Sequence, residues 1–256
     1  MFPESGPKVS RMTDLAGASI IVLGATGGLG REFTRQLTEA GAKVTLTARS
    51  LPALHELSAS HGLELADGAL IAADLTVPGE AEKVVDAAKA AYGRVDGVIQ
   101  ASGVVAFGPL IETSDDTFET LWQVNVLAPL RMVRAAAPAL TESAGIGGSP
   151  FVVSISGVVA ETPTAGVGAY SAVKAAQSAA HQVAARELRR AGIRVIDARP
   201  GHTETELSRH PIAGQRPAFP AGFDPAAVVT RILDAVRGDE KDLPSSAFHG
   251  LPTAAG

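Results

Sequence analysis

Residues 19–40 read SIIVLGATGGLGREFTRQLTEA, an apolar run followed by a glycine-rich turn and an amphipathic segment. The run at 20–23 is short and rich in branched residues, which is typical of a buried parallel strand. Three glycines follow with G-x-x-x-G-x-G spacing, at Gly24, Gly28 and Gly30. Apolar residues then recur at helical spacing, at Phe33, Leu37 and Ala40. The stretch therefore predicts a strand, a tight turn and a helix.

The glycine turn favours a bound phosphate. Glycine lets a ligand approach the main chain closely, and a helix that begins near Gly28 directs free N–H groups and its dipole at that ligand. We therefore predict that a nucleotide pyrophosphate binds to the turn residues Gly24, Thr26, Gly27, Gly28, Leu29 and Gly30. The alternative is a tight strand-to-helix connection without a ligand, because the spacing differs from the common G-x-G-x-x-G.

Composition narrows the class of protein. The chain has 256 residues, 46% of them hydrophobic, which suits one α/β domain. The net charge of −5 and the lack of a basic run argue against nucleic acid as a partner. The absence of cysteine excludes disulfides and thiolate chemistry, and no histidine pair has metal-ligand spacing. With no secretory signal and no membrane-length apolar run, we expect a cytoplasmic protein without a membrane partner.

Predicted strands and helices alternate along the chain. Strands are predicted at 20–23, 43–47, 69–73, 95–100, 150–155 and 194–198, with an edge strand at 243–248. Helices are predicted from Gly28 and at 51–60, 78–92, 114–143, 169–190 and 225–236, the fourth with a kink at Pro129 or Pro138. This order predicts a doubly wound parallel sheet, Rossmann-type, with three α/β/α layers. We expect a single domain at 15–256 behind a flexible arm at 1–14.

Ligands of such sheets bind beyond the carboxyl ends of the strands. The turns singled out here each follow a predicted strand, so we expect them to face one crevice. Tyr170 and Lys174 stand four residues apart near the start of a predicted helix and share one of its faces. A lysine cation beside a phenol lowers the phenol's pKa and makes it usable as an acid or base. The alternative is a surface Tyr/Lys pair.

In these features the chain resembles the short-chain dehydrogenase/reductase family. The glycine turn matches the family's cofactor glycines, and Tyr170-x-x-x-Lys174 matches its catalytic pair. Further segments match in chain order, namely Asp74-Leu75, Gln100-Ala101-Ser102-Gly103, Asn125 and Arg199-Pro200-Gly201-His202-Thr203-Glu204-Thr205. The matching pieces run from Gly24 to Thr205, almost the whole folded part.

The resemblance implies roles for these residues. Tyr170 would exchange a proton with a carbonyl or alcohol oxygen, Lys174 would bind the nicotinamide ribose and lower the tyrosine pKa, and Asn125 would anchor a relay water. The remaining cofactor contacts would come from Asp74, Leu75, Ala101, Gly103, Pro200, Gly201, Thr203 and Thr205. The resemblance also implies a homodimer or homotetramer built on helices 114–143 and 169–190.

The turn after the second strand predicts the cofactor. Sheets of this type that prefer NAD carry an acidic residue there, whereas this chain has Ala48-Arg49-Ser50. Arg49 would attract a 2′-phosphate, and Ser50 could add a hydrogen bond. We therefore predict that NADP(H) is preferred over NAD(H). The alternative for Arg49 is a solvated loop charge.

The family's catalytic serine falls on Gly157 in this chain. Ser156 could replace it through a local shift, Thr162 or Thr164 could help, or the site could lack that hydrogen bond and be slow or inactive. We take Ser156 as the fourth catalytic candidate beside Tyr170, Lys174 and Asn125. The leading hypothesis is an oxidoreductase acting on a small carbonyl/alcohol pair under a short lid at 206–220; the alternative is a dinucleotide-binding sensor or scaffold.

Overall fold

The computed structural model describes residues 13–254, which form a seven-stranded, wholly parallel sheet. The strand order is β3-β2-β1-β4-β5-β6-β7. The strands are β1 Ser19–Leu23, β2 Lys43–Ala48, β3 Leu70–Ala72, β4 Gly97–Gln100, β5 Phe151–Ile155, β6 Arg194–Ala198 and β7 Asp242–Leu243. The order reverses between β1 and β4, which is where doubly wound sheets open their ligand crevice.

Seven α-helices cover the two faces of this sheet. They are α1 Gly28–Glu39, α2 Leu51–Ser60, α3 Glu80–Tyr92, α4 Asp115–Trp122, α5 Ala128–Gly145, α6 Gly168–Glu187 and α7 Pro225–Arg237. Alternate residues of β1 enter different cores: Ile20 and Val22 pack with α1, α2 and α7, and Ile21 and Leu23 pack with α3 and α5. The predicted three-layer Rossmann-type architecture is confirmed. Within residues 13–254, no helix has the length and apolar character needed to cross a bilayer.

The predicted helix at 114–143 is divided into three parts. Between α4 and α5 lies a π-helical segment, Gln123–Leu127. Pro129 is the second residue of α5, directly after the π-helical segment, and Pro138 lies inside α5. The expected break is therefore present as a π segment just before Pro129. Such segments often occur at functional sites.

The predicted edge strand is corrected. The edge strand at 243–248 is wrong beyond Leu243, because Pro244 cannot donate to a ladder and a 3₁₀ turn, Ser245–Phe248, follows. Residues 1–12 of the predicted arm lie outside the described residues. Thr13, at its end, is buried; its N–H donates to the carbonyl of Arg237 at 3.2 Å, and its hydroxyl to the carbonyl of Ser149 at 3.1 Å.

Candidate active site

A cleft of about 1120 Å³ opens at the carboxyl ends of strands β1 to β6. The loops after β1, β2 and β3 line one half, and the loops after β4, β5 and β6 line the other. The crevice expected from the sequence therefore exists, and most of the predicted site residues line it. The predicted residues that do not line it are Gly30, Ser50 and Asn125.

The glycine turn requires glycine at three positions for three reasons. Gly24 has a φ of +70°, and a Cβ there would lie 2.8 Å from the Cα of Ser102. A Cβ on Gly28 would lie 2.7 Å from the Cβ of Thr205. A Cβ on Gly30 would lie 2.0 Å from the carbonyl oxygen of Gly24, so this glycine serves the packing of α1 on the turn and not the cleft surface.

The first turn of α1 presents its N–H groups to the cleft. The N-cap residue is Gly27, which supplies no capping side chain, and its own N–H donates to the carbonyl of Gly24 at 2.9 Å. Gly27, Gly28 and Leu29 all line the cleft. Uncapped N–H groups at a helix N-terminus are a ready anion site. The turn therefore fits a pyrophosphate.

The far end of the cleft is formed after β2 and β3. Arg49 is exposed and lines the cleft, whereas the Ser50 hydroxyl caps α2 by accepting from the Ala53 N–H at 3.3 Å. Asp74 accepts from the hydroxyl and the N–H of Thr76, at 2.7 and 3.0 Å, and these bonds lower the pKa of its carboxyl. Asp74 and Leu75 both line the cleft.

Arg131 on α5 is a cleft residue that the sequence reasoning missed. Its guanidinium donates to the carbonyls of Leu75 and Thr76, at 3.3 and 2.7 Å, and so fixes the loop after β3. An arginine within a long helical pattern carries no sequence signal of this contact, because the loop it binds lies more than fifty residues earlier.

Asn125 lies in the π-helical segment and is buried. Its amide donates to the carbonyls of Leu121 and Val104, at 2.9 and 3.0 Å, and its oxygen accepts from the N–H of Val104 at 3.3 Å. These bonds tie the helix to the segment after β4. Asn125 therefore lies behind the wall of the cleft, and its role in holding a water stays a prediction.

Tyr170 and Lys174 lie one turn apart on α6 and both line the cleft. The ammonium of Lys174 is 5.7 Å from the centre of the Tyr170 ring and donates to the Ile155 carbonyl at 2.6 Å and the Gln177 side-chain oxygen at 2.7 Å. Burial lowers the pKa of Lys174 to about 8, although the nearby Asp197 carboxylate opposes the shift. Burial raises the pKa of Tyr170 above its usual value. The expectation that Lys174 acidifies this phenol stays a prediction, and burial acts on the phenol in the opposite direction.

A buried polar network behind Lys174 was also missed. Gln177 donates to the Ser154 hydroxyl at 2.9 Å. His181 contacts the carbonyl of Gln177 and the side-chain oxygen of Gln100, each at 2.8 Å, and Gln100 donates to the carbonyl of Pro129 at 2.9 Å. Polar residues at the core-facing positions of α6 and of two central strands were the signal, because buried polar groups require partners.

Ser156 does not present its hydroxyl to the cleft. The side chain is buried, and its hydroxyl donates to both carboxylate oxygens of Asp197, at 2.8 and 2.9 Å. Asp197 also accepts from Ser178 at 2.6 Å and from Arg199 at 3.0 Å. This geometry gives no support to the catalytic role predicted for Ser156.

Gly157 occupies the position of the family serine with φ +81° and ψ 163°. This region of backbone conformation is essentially limited to glycine. Of the two threonines considered as alternatives, Thr164 lines the cleft and Thr162 does not. The Thr164 hydroxyl donates to the Thr162 carbonyl at 3.0 Å.

The segment after β6 divides between the cleft and the core. Pro200, Gly201, Thr203 and Thr205 line the cleft as predicted. Arg199, in contrast, is buried among the carboxylates of Asp197, Glu161 and Asp242. The lid begins with a 3₁₀ turn, Glu206–Arg209, and then contacts the segment after β4: Ile212 N–H donates to the Val105 carbonyl and Phe107 N–H to the Ala213 carbonyl, both at 2.9 Å.

Comparison with known proteins finds relatives that are described as dehydrogenases or oxidoreductases. The family model described as short chain dehydrogenase matches residues 18–215. A short chain dehydrogenase of Pseudocercospora fijiensis is 34% identical over 196 residues, 75% of this chain and 62% of that protein. An uncharacterized oxidoreductase of Mycobacterium tuberculosis is 36% identical over 69% of this chain and 64% of its own. The chain thus spans slightly less than two thirds of these relatives.

Solved structures show the same fold. A short-chain dehydrogenase from Streptomyces avermitilis superposes with a TM-score of 0.76 at 28% identity, covering 91% of this chain and 90% of that one. A 3-ketoacyl-(acyl-carrier-protein) reductase from Brucella melitensis, complexed with NADH, gives 0.79 at 22% identity over 90% and 97%. The second likeness shows the fold alone. With the family model covering most of the chain, this protein belongs to the short-chain dehydrogenase/reductase family.

Proposed function

We propose that this chain is an NADP(H)-dependent oxidoreductase that interconverts a carbonyl group and a secondary alcohol, with Tyr170 as general acid and base. The observation that carries the proposal is the shared cleft. The phenol of Tyr170, the ammonium of Lys174 and the uncapped N-terminus of α1 line the same cavity. Catalytic and binding groups of doubly wound sheets meet at this edge.

The residues present fit a dinucleotide. The glycine turn leaves no room for a Cβ at Gly28 or Gly30, and its N–H groups suit a pyrophosphate. Asp74 and Leu75 would hold the adenine end, and the segments at 101–103 and 200–205 the nicotinamide end. When bound, the dinucleotide supplies or accepts the hydride.

Tyr170 is suited to donate a proton during reduction. Its raised pKa keeps the phenol protonated at neutral pH. As hydride reaches the carbonyl carbon, the phenol O–H bond breaks and its proton goes to the carbonyl oxygen, which becomes the alcohol hydroxyl; oxidation runs the transfer backward. Lys174, held by Ile155 and Gln177, keeps a positive charge beside this phenol and favours the phenolate as it forms.

Arg49 supports the choice of NADP(H). It is exposed at the end of β2 and lines the cleft, at the position where a carboxylate would select NAD. A guanidinium matches phosphate oxygens geometrically. Ser50 already caps α2, so the proposed attraction for a 2′-phosphate rests on Arg49. We extend the proposal to a homodimer or homotetramer, since α4 and α6 carry exposed apolar residues, namely Phe118, Trp122 and Val183.

The test compares the natural chain with Tyr170→Phe, which keeps the ring and removes the proton. We expect both to bind NADPH equally, and only the natural chain to oxidise NADPH, followed by its absorbance, with a panel of ketones and aldehydes. Equal turnover by both proteins would overturn the role of Tyr170. Tight NADPH binding with no turnover would instead favour a sensor or scaffold, a second candidate supported by Gly157 and by the engagement of Ser156 with Asp197.

A further inference from the structure

The two halves of the cleft differ in charge. Within residues 13–254, five basic side chains line it: Arg49, Arg131, Lys174, His202 and His210. Both arginines lie in the half formed after β2 and β3, as the contacts of Arg131 with the loop after β3 show. Lys174 and the two histidines lie in the other half. The ammonium of Lys174 already donates to two oxygens, and His202 and His210 contact the carboxylates of Glu204 and Glu206, at 3.2 and 3.3 Å. The half formed after β4, β5 and β6 is called here the substrate half. Because its basic groups already have partners, it attracts an anion only weakly.

The walls of the substrate half are apolar. All three loops contribute apolar side chains, among them Val105, Phe107, Val158, Val159, Leu207 and Phe219. Glu206 also lines this half, and its carboxylate pairs with Arg209 and His210, at 3.0 and 3.3 Å. The cleft spans both halves and has a volume of about 1120 Å³.

Phe219 is the most firmly supported of these wall residues. Its ring centre is 4.6 Å from that of His202 and 5.9 Å from that of Phe107, and the Arg216 guanidinium lies 5.6 Å from it. Glu204 contacts both His202 and Arg216, at 3.2 and 3.6 Å, so the guanidinium is already paired with a carboxylate. A ring held in place in this way loses little freedom when another ring packs against it.

Phe107 and Phe219 belong to segments that are joined. The lid that carries Phe219 exchanges two backbone hydrogen bonds with the segment that carries Phe107. Gly214 fits between them with a φ of +74°, and a Cβ there would lie 1.9 Å from the Phe107 carbonyl oxygen. The two rings meet at 51°, which is a tilted aromatic pair. Tilted pairs accept a further ring by edge or offset contact.

We infer that the substrate is a neutral carbonyl compound with a flat apolar ring, and that Phe107 and Phe219 bind that ring. The inference rests on the proposed function, because it concerns the molecule that Tyr170 would reduce. A carboxylate or phosphate on the substrate would be desolvated among these apolar side chains, and the basic groups of this half already have partners, so its binding is unfavourable. A bare small ketone would leave the aromatic wall uncovered.

The test uses two pairs of ketones, each a methyl ester and its carboxylate, which differ in charge and in one methyl group: methyl benzoylformate with benzoylformate, and methyl 4-acetylbenzoate with 4-acetylbenzoate. Methyl pyruvate serves as the neutral ketone without a ring. With NADPH, we expect kcat/KM at least about tenfold higher for each ester than for its acid. Phe219→Ala should raise the KM for the ring-bearing esters about tenfold and leave that for methyl pyruvate within about twofold.

Phe219→Leu keeps apolar bulk and should raise the KM less than Phe219→Ala does. Ile146→Ala truncates an exposed apolar side chain at the end of α5 and should leave every KM unchanged. Calorimetric binding of methyl benzoylformate to NADPH-loaded Tyr170→Phe gives a readout independent of turnover. The inference would be overturned if the acids were reduced as efficiently as the esters, or if Phe219→Ala left the KM for the ring-bearing esters unchanged. Either outcome would leave the proposed function intact. No turnover of any carbonyl by the natural chain would overturn both.

Discussion

The ammonium of Lys174 donates to the side-chain oxygen of Gln177, 2.7 Å away and one turn further along α6. Gln177 is 2% exposed and is itself held by its bond to Ser154 in β5. The lysine that the family's chemistry requires is therefore positioned from behind by an uncharged amide. Asp197, on the neighbouring strand β6, provides the nearest opposing charge.

This relationship predicts that Gln177→Leu weakens dinucleotide binding. The variant removes an acceptor from a buried cation, a bond worth about 1.5–3 kcal/mol, so the pKa of Lys174 should fall further and NADPH affinity at pH 8 should drop at least about tenfold. Gln177→Glu should restore binding and raise that pKa. Gln182→Leu, exposed on the same helix, is the matched control. Fluorescence titration across pH measures the effect, and an unchanged pH profile in Gln177→Leu would contradict it.

The lowered pKa of Lys174 predicts a pH dependence of binding. Since the group is charged below about pH 8 and neutral above it, NADPH affinity should be constant from pH 6 to 7 and fall through pH 8 to 9. Burial also lowers the pKa of His181, which lies near this lysine. Lys174→Arg should remove the alkaline fall, because a guanidinium remains charged. A natural chain whose affinity does not change up to pH 9.5 would refute the prediction.

Arg49→Ala should weaken NADPH binding by about tenfold and leave NADH binding unchanged, because a charge-assisted bond to the 2′-phosphate is lost from an exposed site. Arg49→Glu should reverse the preference between the two cofactors. Arg190→Ala, exposed and away from the cleft, controls for net charge. Dissociation constants for both cofactors at two salt concentrations provide the measurement. If Arg49→Ala affects both cofactors equally, the residue does not select the phosphate.

Ser156→Ala should affect stability and not turnover. The substitution removes a buried donor to Asp197 and should lower the free energy of unfolding by about 1–3 kcal/mol. The turnover number should stay within about threefold, whereas loss of a catalytic oxyanion donor costs about a hundred- to a thousandfold. Thr164→Val, which removes a hydroxyl from a residue that lines the cleft, is compared in the same assays. Urea denaturation and steady-state kinetics separate the two effects, and a hundredfold loss in Ser156→Ala would restore its catalytic assignment.

Gly30→Ala should destabilise the fold by about 3 kcal/mol, the upper end for overpacking, because its Cβ would lie 2.0 Å from the Gly24 carbonyl oxygen. Gly145→Ala is the matched control: it lies at the end of α5, and a Cβ there meets no atom within 4 Å. It should be neutral or slightly stabilising, as alanine is favoured over glycine in helices. Thermal denaturation of both variants measures the difference in stability. Equal stability of the two variants would show that the turn can relax around the added Cβ.

The sequence by itself determined the architecture. Alternating strand and helix patterns permit few arrangements other than a parallel sheet covered on both faces, and the carboxyl ends of its strands necessarily share one edge. That rule brought the glycine turn, Arg49, Asp74, Tyr170 and Lys174 to one cleft before any contact was known. Local patterns sufficed because each of these residues occupies the end of an element.

Only the tertiary structure decided what the site's side chains contact. Ser156 meets Asp197 41 residues later, and Arg131 reaches back 56 residues to the carbonyl of Leu75. The burial that raises the pKa of Tyr170 likewise comes from packing between distant segments. Hydrogen bonds and desolvation depend on which atoms the whole fold brings within a few ångströms, and periodicity specifies only the face on which a residue lies.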